Sequence, residues 1–253
     1  MISNSLRTLA IAALLQFANC SDVPTDPLSG DLAILFVGNS LTYTNDVPAI
    51  LEDLLAEANG GPTFVESIAH PNYALEDHWN DAETIDRIRS QPWDIVVMQQ
   101  GPSATEGRPS LIEYSMRFAE VIREAGATPA LYMVWPTESR IFDFAGVRRS
   151  YSDAADSVDG YFFPAGAAWQ EAWSIDPEIE LYGPDRFHPT AAGSYVAAVV
   201  MYEQLTGADA RDLYRQIGTQ YGPVTMTPAN GETLHDAAHE ANRRYAREVM
   251  NDH

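Results

Sequence analysis

Three side chains far apart in the chain have the types that acyl transfer needs. Ser40 follows an apolar run and a glycine in the stretch ILFVGNSLT, and Asp185 and His188 stand three residues apart in YGPDRFHPT. A serine hydroxyl is a weak nucleophile until a base within reach takes its proton. An imidazole does this when a carboxylate holds its other ring nitrogen. Gly38 permits the sharp turn and close backbone approach that a displayed hydroxyl requires. Pro189 biases His188 away from helical angles, so Asp185 and His188 are expected to share a loop in which their side chains can turn toward each other. Each piece also has a plainer reading. Glycine and serine commonly leave a strand together, and Asp185 and His188 would serve as solvated loop residues before Thr190, an ordinary helix cap. The pieces gain meaning jointly, through the elements that would place them.

Those elements alternate. Strands are expected at 33–37, 63–69, 94–98, 129–135 and 159–163, with helix-like segments between them. Pro48 opens a helix through AILEDLLAEA, stopped by Asn59-Gly60-Gly61. A second helix follows Pro109, with Leu111, Tyr114, Met116, Phe118, Val121 and Ile122 as its apolar face. A third runs from the cap Thr190 to Gly207. Short apolar strands alternating with helices imply an α/β fold of three layers, α/β/α, around a mostly parallel sheet. Ligands of such sheets bind beyond the carboxyl ends of the strands, where Ser40 is expected. Gln99 and Gln100 end the central strand DIVVM, and a carboxamide there could donate to a developing oxyanion.

The order of these blocks resembles that of the SGNH/GDSL hydrolase superfamily, most closely an exported bacterial branch whose first block reads G-N-S-x-T. The likeness runs from about Ile34 to Leu205. It implies the flavodoxin-like SGNH fold, with Ser40 as nucleophile, His188 as base and Asp185 as its orienter. It also implies an oxyanion hole made from the backbone amide of Ser40, an amide of the second block and a side chain of the third. In the second block, IAHPNYALEDHW, Pro71 has no N–H, which leaves Asn72 as donor where the family has glycine. In the third block MQQG replaces the usual G-x-N-D, and Gln99 takes the side-chain role in preference to Gln100. Trp79 and Trp135 are expected as pocket walls suited to stacking on a sugar. His78, in LEDHW, is expected as wall or core. The implied activity is serine ester hydrolysis through an acyl-enzyme, deacetylating a carbohydrate or similar small ester, without a metal or organic cofactor.

Bulk properties narrow the partners. The formal charge is -21, and all 15 basic residues are arginine, so nucleic acid and anionic lipid are disfavoured. Arg7 and the apolar run 8–18 resemble a signal peptide, expected to span 1–19. The lone Cys20 then stands where a bacterial lipoprotein carries its lipid, followed by a linker over 20–30 and one domain over 31–253 that ends in a helical extension. The expected location is the periplasm or cell envelope, with lipid anchorage. Two other readings stand beside the esterase. One is a noncatalytic binding lipoprotein on the same fold. The other is a metal-dependent hydrolase using His235-Asp236-Ala237-Ala238-His239, which places two imidazoles four residues apart on a helix.

Overall fold

The computed structural model describes residues 32–59, 62–216 and 228–247. The signal segment, Cys20 and the Gly60-Gly61 stop lie outside the described residues. In chain order the elements are β1 (Leu32–Gly38), α1 (Ser40–Tyr43), α2 (Val47–Asn59), β2 (Thr63–Ala69), α3 (Leu75–Trp79), α4 (Ala82–Arg89), β3 (Ile95–Met98), α5 (Arg108–Glu124) and β4 (Thr128–Tyr132). A 3-10 helix follows at Glu138–Asp143, then α6 (Phe144–Ser157), β5 (Tyr161–Phe163), α7 (Ala165–Ile175), α8 (Ala191–Thr206), a second 3-10 helix at Ala210–Gln216 and α9 (Pro228–Tyr245).

All five strands are parallel, in the order β2-β1-β3-β4-β5. Central strands β1 and β3 are almost wholly buried, as their unbroken apolar runs require when helices cover both faces. Helices α2, α7, α8 and α9 pack together on one side, and α3, α4, α5 and α6 on the other. The fold is therefore three-layer α/β/α. Leaving β1, the chain first goes to β2 on one flank and later returns to β3 on the other. The crevice where the order reverses opens between the carboxyl ends of β1 and β3, and the residues after both strands converge there.

Local chemistry sets the helix ends. The Thr190 hydroxyl accepts from the Gly193 amide at the start of α8, and Gly207 closes that helix at φ 66°, a left-handed angle that glycine takes without a Cβ penalty. One expected face is shifted. On α5 the buried positions are Leu111, Ser115, Phe118, Ala119, Val121 and Ile122, while Met116 is half exposed. The 3.6-residue period turns position 116 toward solvent once 111, 115, 118 and 122 face the sheet.

Candidate active site

Ser40 is the first residue of α1, set immediately beyond β1 by the Gly38-Asn39 turn. Asn39 is extended, and its side-chain oxygen caps the turn by accepting the Leu41 amide at 3.0 Å. A Cβ on Gly38 would stand 2.7 Å from Gln99 Oε1 and closer still to Thr42 Oγ1, so a larger residue there would force the turn apart. The His78 ring lies beneath it, fully buried, with Nε2 2.7 Å from the Gly38 carbonyl and Nδ1 3.0 Å from Thr84 Oγ1. A carbonyl only accepts, so Nε2 carries the proton and Nδ1 accepts from the threonine hydroxyl. Burial lowers the pKa of His78 and keeps it neutral. This histidine is core, supporting the serine turn from below.

The base arrives from the other end of the chain. The loop between α7 and α8 closes on itself, with the Gly183 amide donating to the His188 carbonyl at 2.7 Å and Arg186 held at φ 62°. Asp185 Oδ1 accepts the amides of Phe187 at 3.0 Å and His188 at 2.9 Å, and Oδ2 lies 2.5 Å from His188 Nδ1. The opposite ring nitrogen, Nε2, lies 2.8 Å from Ser40 Oγ. With Nδ1–H donating to the carboxylate, Nε2 is free to accept the serine proton. The hydrogen bond from His188, helped by the two amides, holds the Asp185 carboxyl down at about 2.

Three further contacts bring the two halves together. Asn45, at φ 58°, donates from Nδ2 to the Pro189 carbonyl at 3.0 Å and so ties the end of α1 to the histidine loop. Trp135 Nε1 donates to the Phe187 carbonyl at 3.0 Å, and Glu138 pairs with Arg186 at 2.9 Å. Asn45 and Glu138 were not singled out from the sequence, and Trp135 was expected in a different role. Asparagine and aspartate tolerate left-handed angles, so Asn45-Asp46 is a signal for a turn, but nothing local gives its reach across the chain.

The cleft in front of Ser40 has a volume of about 360 Å³, with Asn72, Tyr73, Gln100, Ser103, Ser110 and Phe187 among its walls. Asn72 is exposed and sits at φ 63°, a left-handed angle that asparagine takes more readily than most residues. The expected oxyanion role of Gln99 does not fit. Gln99 is fully buried and its amide is spent beneath the turn. Its Oε1 accepts from the Asn39 amide at 2.9 Å and the Thr42 hydroxyl at 2.8 Å, while Nε2 donates to Asn39 Oδ1 at 3.1 Å and the Gln100 carbonyl at 2.5 Å. Gln100 does line the cleft, yet its Nε2 is also engaged, by Ser103 Oγ at 2.8 Å and the Gly107 carbonyl at 3.1 Å.

Both tryptophans expected as pocket walls lie elsewhere. Trp135 is fully buried and stacked on Trp169 with ring centroids 3.7 Å apart. Trp79 packs its edge on Phe118 at 5.3 Å, with Arg117 above its ring. Large apolar rings gain more from burial than from a place in an open cleft. The paired imidazoles on α9 do not converge either. His235 is buried and bonds Tyr195 OH through Nε2 at 2.8 Å, whereas His239 Nδ1 meets Glu203 at 2.7 Å and Asp209 at 3.5 Å. Those two carboxylates are already held, Asp209 by Arg211 and Glu203 by Asn242. Among the described residues, no helix is long and apolar enough to cross a membrane.

The same arrangement of layers recurs in solved structures. A Slackia heliotrinireducens protein assigned to the SGNH hydrolases is 26% identical, with a TM-score of 0.57 over 68% of this chain and 98% of its own. A DUF4886 family protein from Bacteroides uniformis is 19% identical, with a TM-score of 0.69 over 83% of this chain and 94% of its own. The fold is that of the SGNH/GDSL hydrolases. An acetylxylan esterase from Geobacillus stearothermophilus, a catalytic mutant, shares this SGNH fold at 16% identity and a TM-score of 0.51, covering 79% of this chain and all of its own. No family model and no curated relative matches the sequence.

Proposed function

We propose that the protein is a serine ester hydrolase that removes a short acyl group, acetyl above all, from a carbohydrate or similar small ester. One observation carries this reading. Ser40 Oγ, His188 and Asp185 form an unbroken hydrogen-bonded chain, 2.8 Å and then 2.5 Å, at the mouth of a polar cleft. Ser40 attacks the ester carbonyl as His188 Nε2 takes its proton, and the negative charge of the tetrahedral intermediate falls on the former carbonyl oxygen. The backbone amides of Ser40 and Asn72 are the donors this reading assigns to that charge. His188 returns the proton to the leaving alcohol, then takes one from water, which attacks the acyl-serine and releases the acid. Asp185 keeps the proton of the neutral ring on Nδ1 throughout. No step calls on a cofactor.

The small cleft and its amide and hydroxyl walls suit a short acyl group and a hydroxyl-rich alcohol better than a lipid chain. The shared fold of an acetylxylan esterase points the same way. A noncatalytic binding protein would have no need to hold a histidine between a serine and a carboxylate in this order. Export, and lipid attachment at Cys20, belong to the proposal on the strength of the apolar run 8–18 and the cysteine after it.

The test uses purified protein against acetylated oligosaccharides and short p-nitrophenyl esters. Ser40→Ala should fold with an unchanged melting temperature and lose at least about a thousandfold in turnover. A fluorophosphonate should label the parent once, on Ser40. Parental turnover in Ser40→Ala would overturn the assignment.

A further inference from the structure

The 3-10 helix Glu138–Asp143 has a part in neither the core nor the hydrogen-bonded chain. It carries Phe142, which is 77% exposed, next to Ile141 at 51% exposed. Two adjacent large apolar side chains left in water on one short segment make a local apolar patch beside the cleft rim. This segment is held in place from both sides of the cleft. Glu138 pairs with Arg186 at 2.9 Å, and its amide donates to the Arg186 carbonyl at 2.9 Å, fixing the helix to the residue before cleft-lining Phe187. On the other side Arg140 reaches Glu106 at 3.8 Å, the residue before cleft-lining Gly107. The first turn of α6 abuts the same wall, since a Cβ on Gly146 would lie 3.2 Å from the Ala104 carbonyl. Helix and cleft rim therefore form one continuous surface.

We infer that Ile141 and Phe142 form a second subsite, which receives the sugar ring next to the one bearing the acyl group. The inference rests on the ester-hydrolase reading and deepens it by naming what the leaving alcohol is attached to. An ester whose carbonyl sits at Ser40 has an alcohol portion that must leave the cleft across its rim. A cleft of about 360 Å³ holds little more than the reacting unit, so the next unit lies outside it. The segment that carries the Phe142 ring also carries Glu138, Arg140 and Asp143, with Arg186 paired to Glu138. A pyranose matches that pattern, with C–H bonds over the ring and hydroxyls toward the charges. A fatty chain matches it poorly, because it would have to cross those charges and leave them unsolvated. The surplus of acidic side chains also disfavours an anionic lipid surface.

The experiment measures binding apart from chemistry. Calorimetry with Ser40→Ala protein and acetylated xylotetraose, with acetylated cellotetraose as a second arm, reads the subsite even if no ester is turned over. Adding Phe142→Ala should weaken binding about three- to tenfold, and Phe142→Trp should keep or strengthen it. In the active enzyme, the ratio of kcat/KM for the acetylated tetrasaccharide to that for methyl acetate should fall by a similar factor. Met116→Ala, an exposed apolar residue on α5, should move neither reading. Oligosaccharide that binds without being hydrolysed by the parent would sink the esterase reading and leave the subsite standing. No binding by the Ser40→Ala protein, the same affinity in Phe142→Ala, or failure of Phe142→Trp to preserve it would overturn the subsite. A loss confined to long-chain acyl esters would overturn it in favour of lipid.

Discussion

The two walls that meet at Ser40 are built in opposite ways. The serine side is a buried polar lattice in which Gln99, Asn39 and Thr42 satisfy one another and His78 holds the Gly38 carbonyl, with almost no access to water. The histidine side is a loop in solvent, with 53% of the Asp185 side chain exposed, hung on a few contacts from Trp135, Asn45 and Glu138. A buried lattice fixes a nucleophile because every alternative leaves a polar group unpaired. An exposed loop lets an imidazole change protonation state during each turnover with water at hand to stabilise the charge. The division predicts which changes cost activity alone and which cost stability as well.

The largest expected effect on rate lies on the exposed side. Asp185→Asn should lower kcat by about a thousandfold to ten-thousandfold with little change in KM, because an amide no longer enforces the tautomer. Melting temperature should hardly move, as the loop is solvated. The carboxyl is held at about 2, so it is ionised above that value and loses its charge only as pH falls toward it. Loss of activity between neutral and mildly acidic pH in the parent should therefore not follow Asp185. A pH–rate profile checks both points, and full activity in Asp185→Asn would mean that Ser40 and His188 act as a dyad.

On the buried side Gln99→Ala should lower turnover by about a hundredfold through displacement of Ser40. Unlike the loop variant, it should also cost about 1–3 kcal/mol of stability, since the Asn39 amide is left without an acceptor. Chemical denaturation read beside kinetics separates this from the role of an oxyanion donor, which would lower turnover without loosening the fold. A stable, slow Gln99→Ala would restore the donor role. The smallest effect should come from Trp135→Phe, which keeps the stack on Trp169 and deletes one N–H to the Phe187 carbonyl. A loss of about 1 kcal/mol, read as roughly a fivefold fall in kcat, fits one hydrogen bond. A larger collapse would show that the histidine loop depends on the aromatic stack itself.

The contrast also marks where the sequence could be read. Thr63–Ala69 and the span from Thr190 to Gly207 fall where strand pattern and caps place them, because those signals are local. The spacing of Asp185 and His188 ahead of Pro189 is local too, and the structure joins the pair to Ser40. What could not be read was the aim of side chains at a strand end. Gln99 follows β3, and whether its amide enters the cleft or turns under β1 depends on a neighbour 60 residues away. Trp135 misled for a similar reason. An indole looks alike in a sequence whether it walls a pocket or lies under a loop, and its partner Phe187 is 52 residues distant.

The distance along the chain between Ser40 and His188 has a consequence in time. The two are separated by 148 residues, and four of the five strands, β2 to β5, lie between them in sequence. At a synthesis rate of about 5–20 residues per second, the nucleophile leaves the ribosome on the order of ten seconds before its base. Throughout that interval Ser40 is an ordinary alcohol. Hydrolytic competence then arrives in one event, when the loop after α7 docks against α1, so activity regained during refolding clocks that one long-range contact rather than chain collapse.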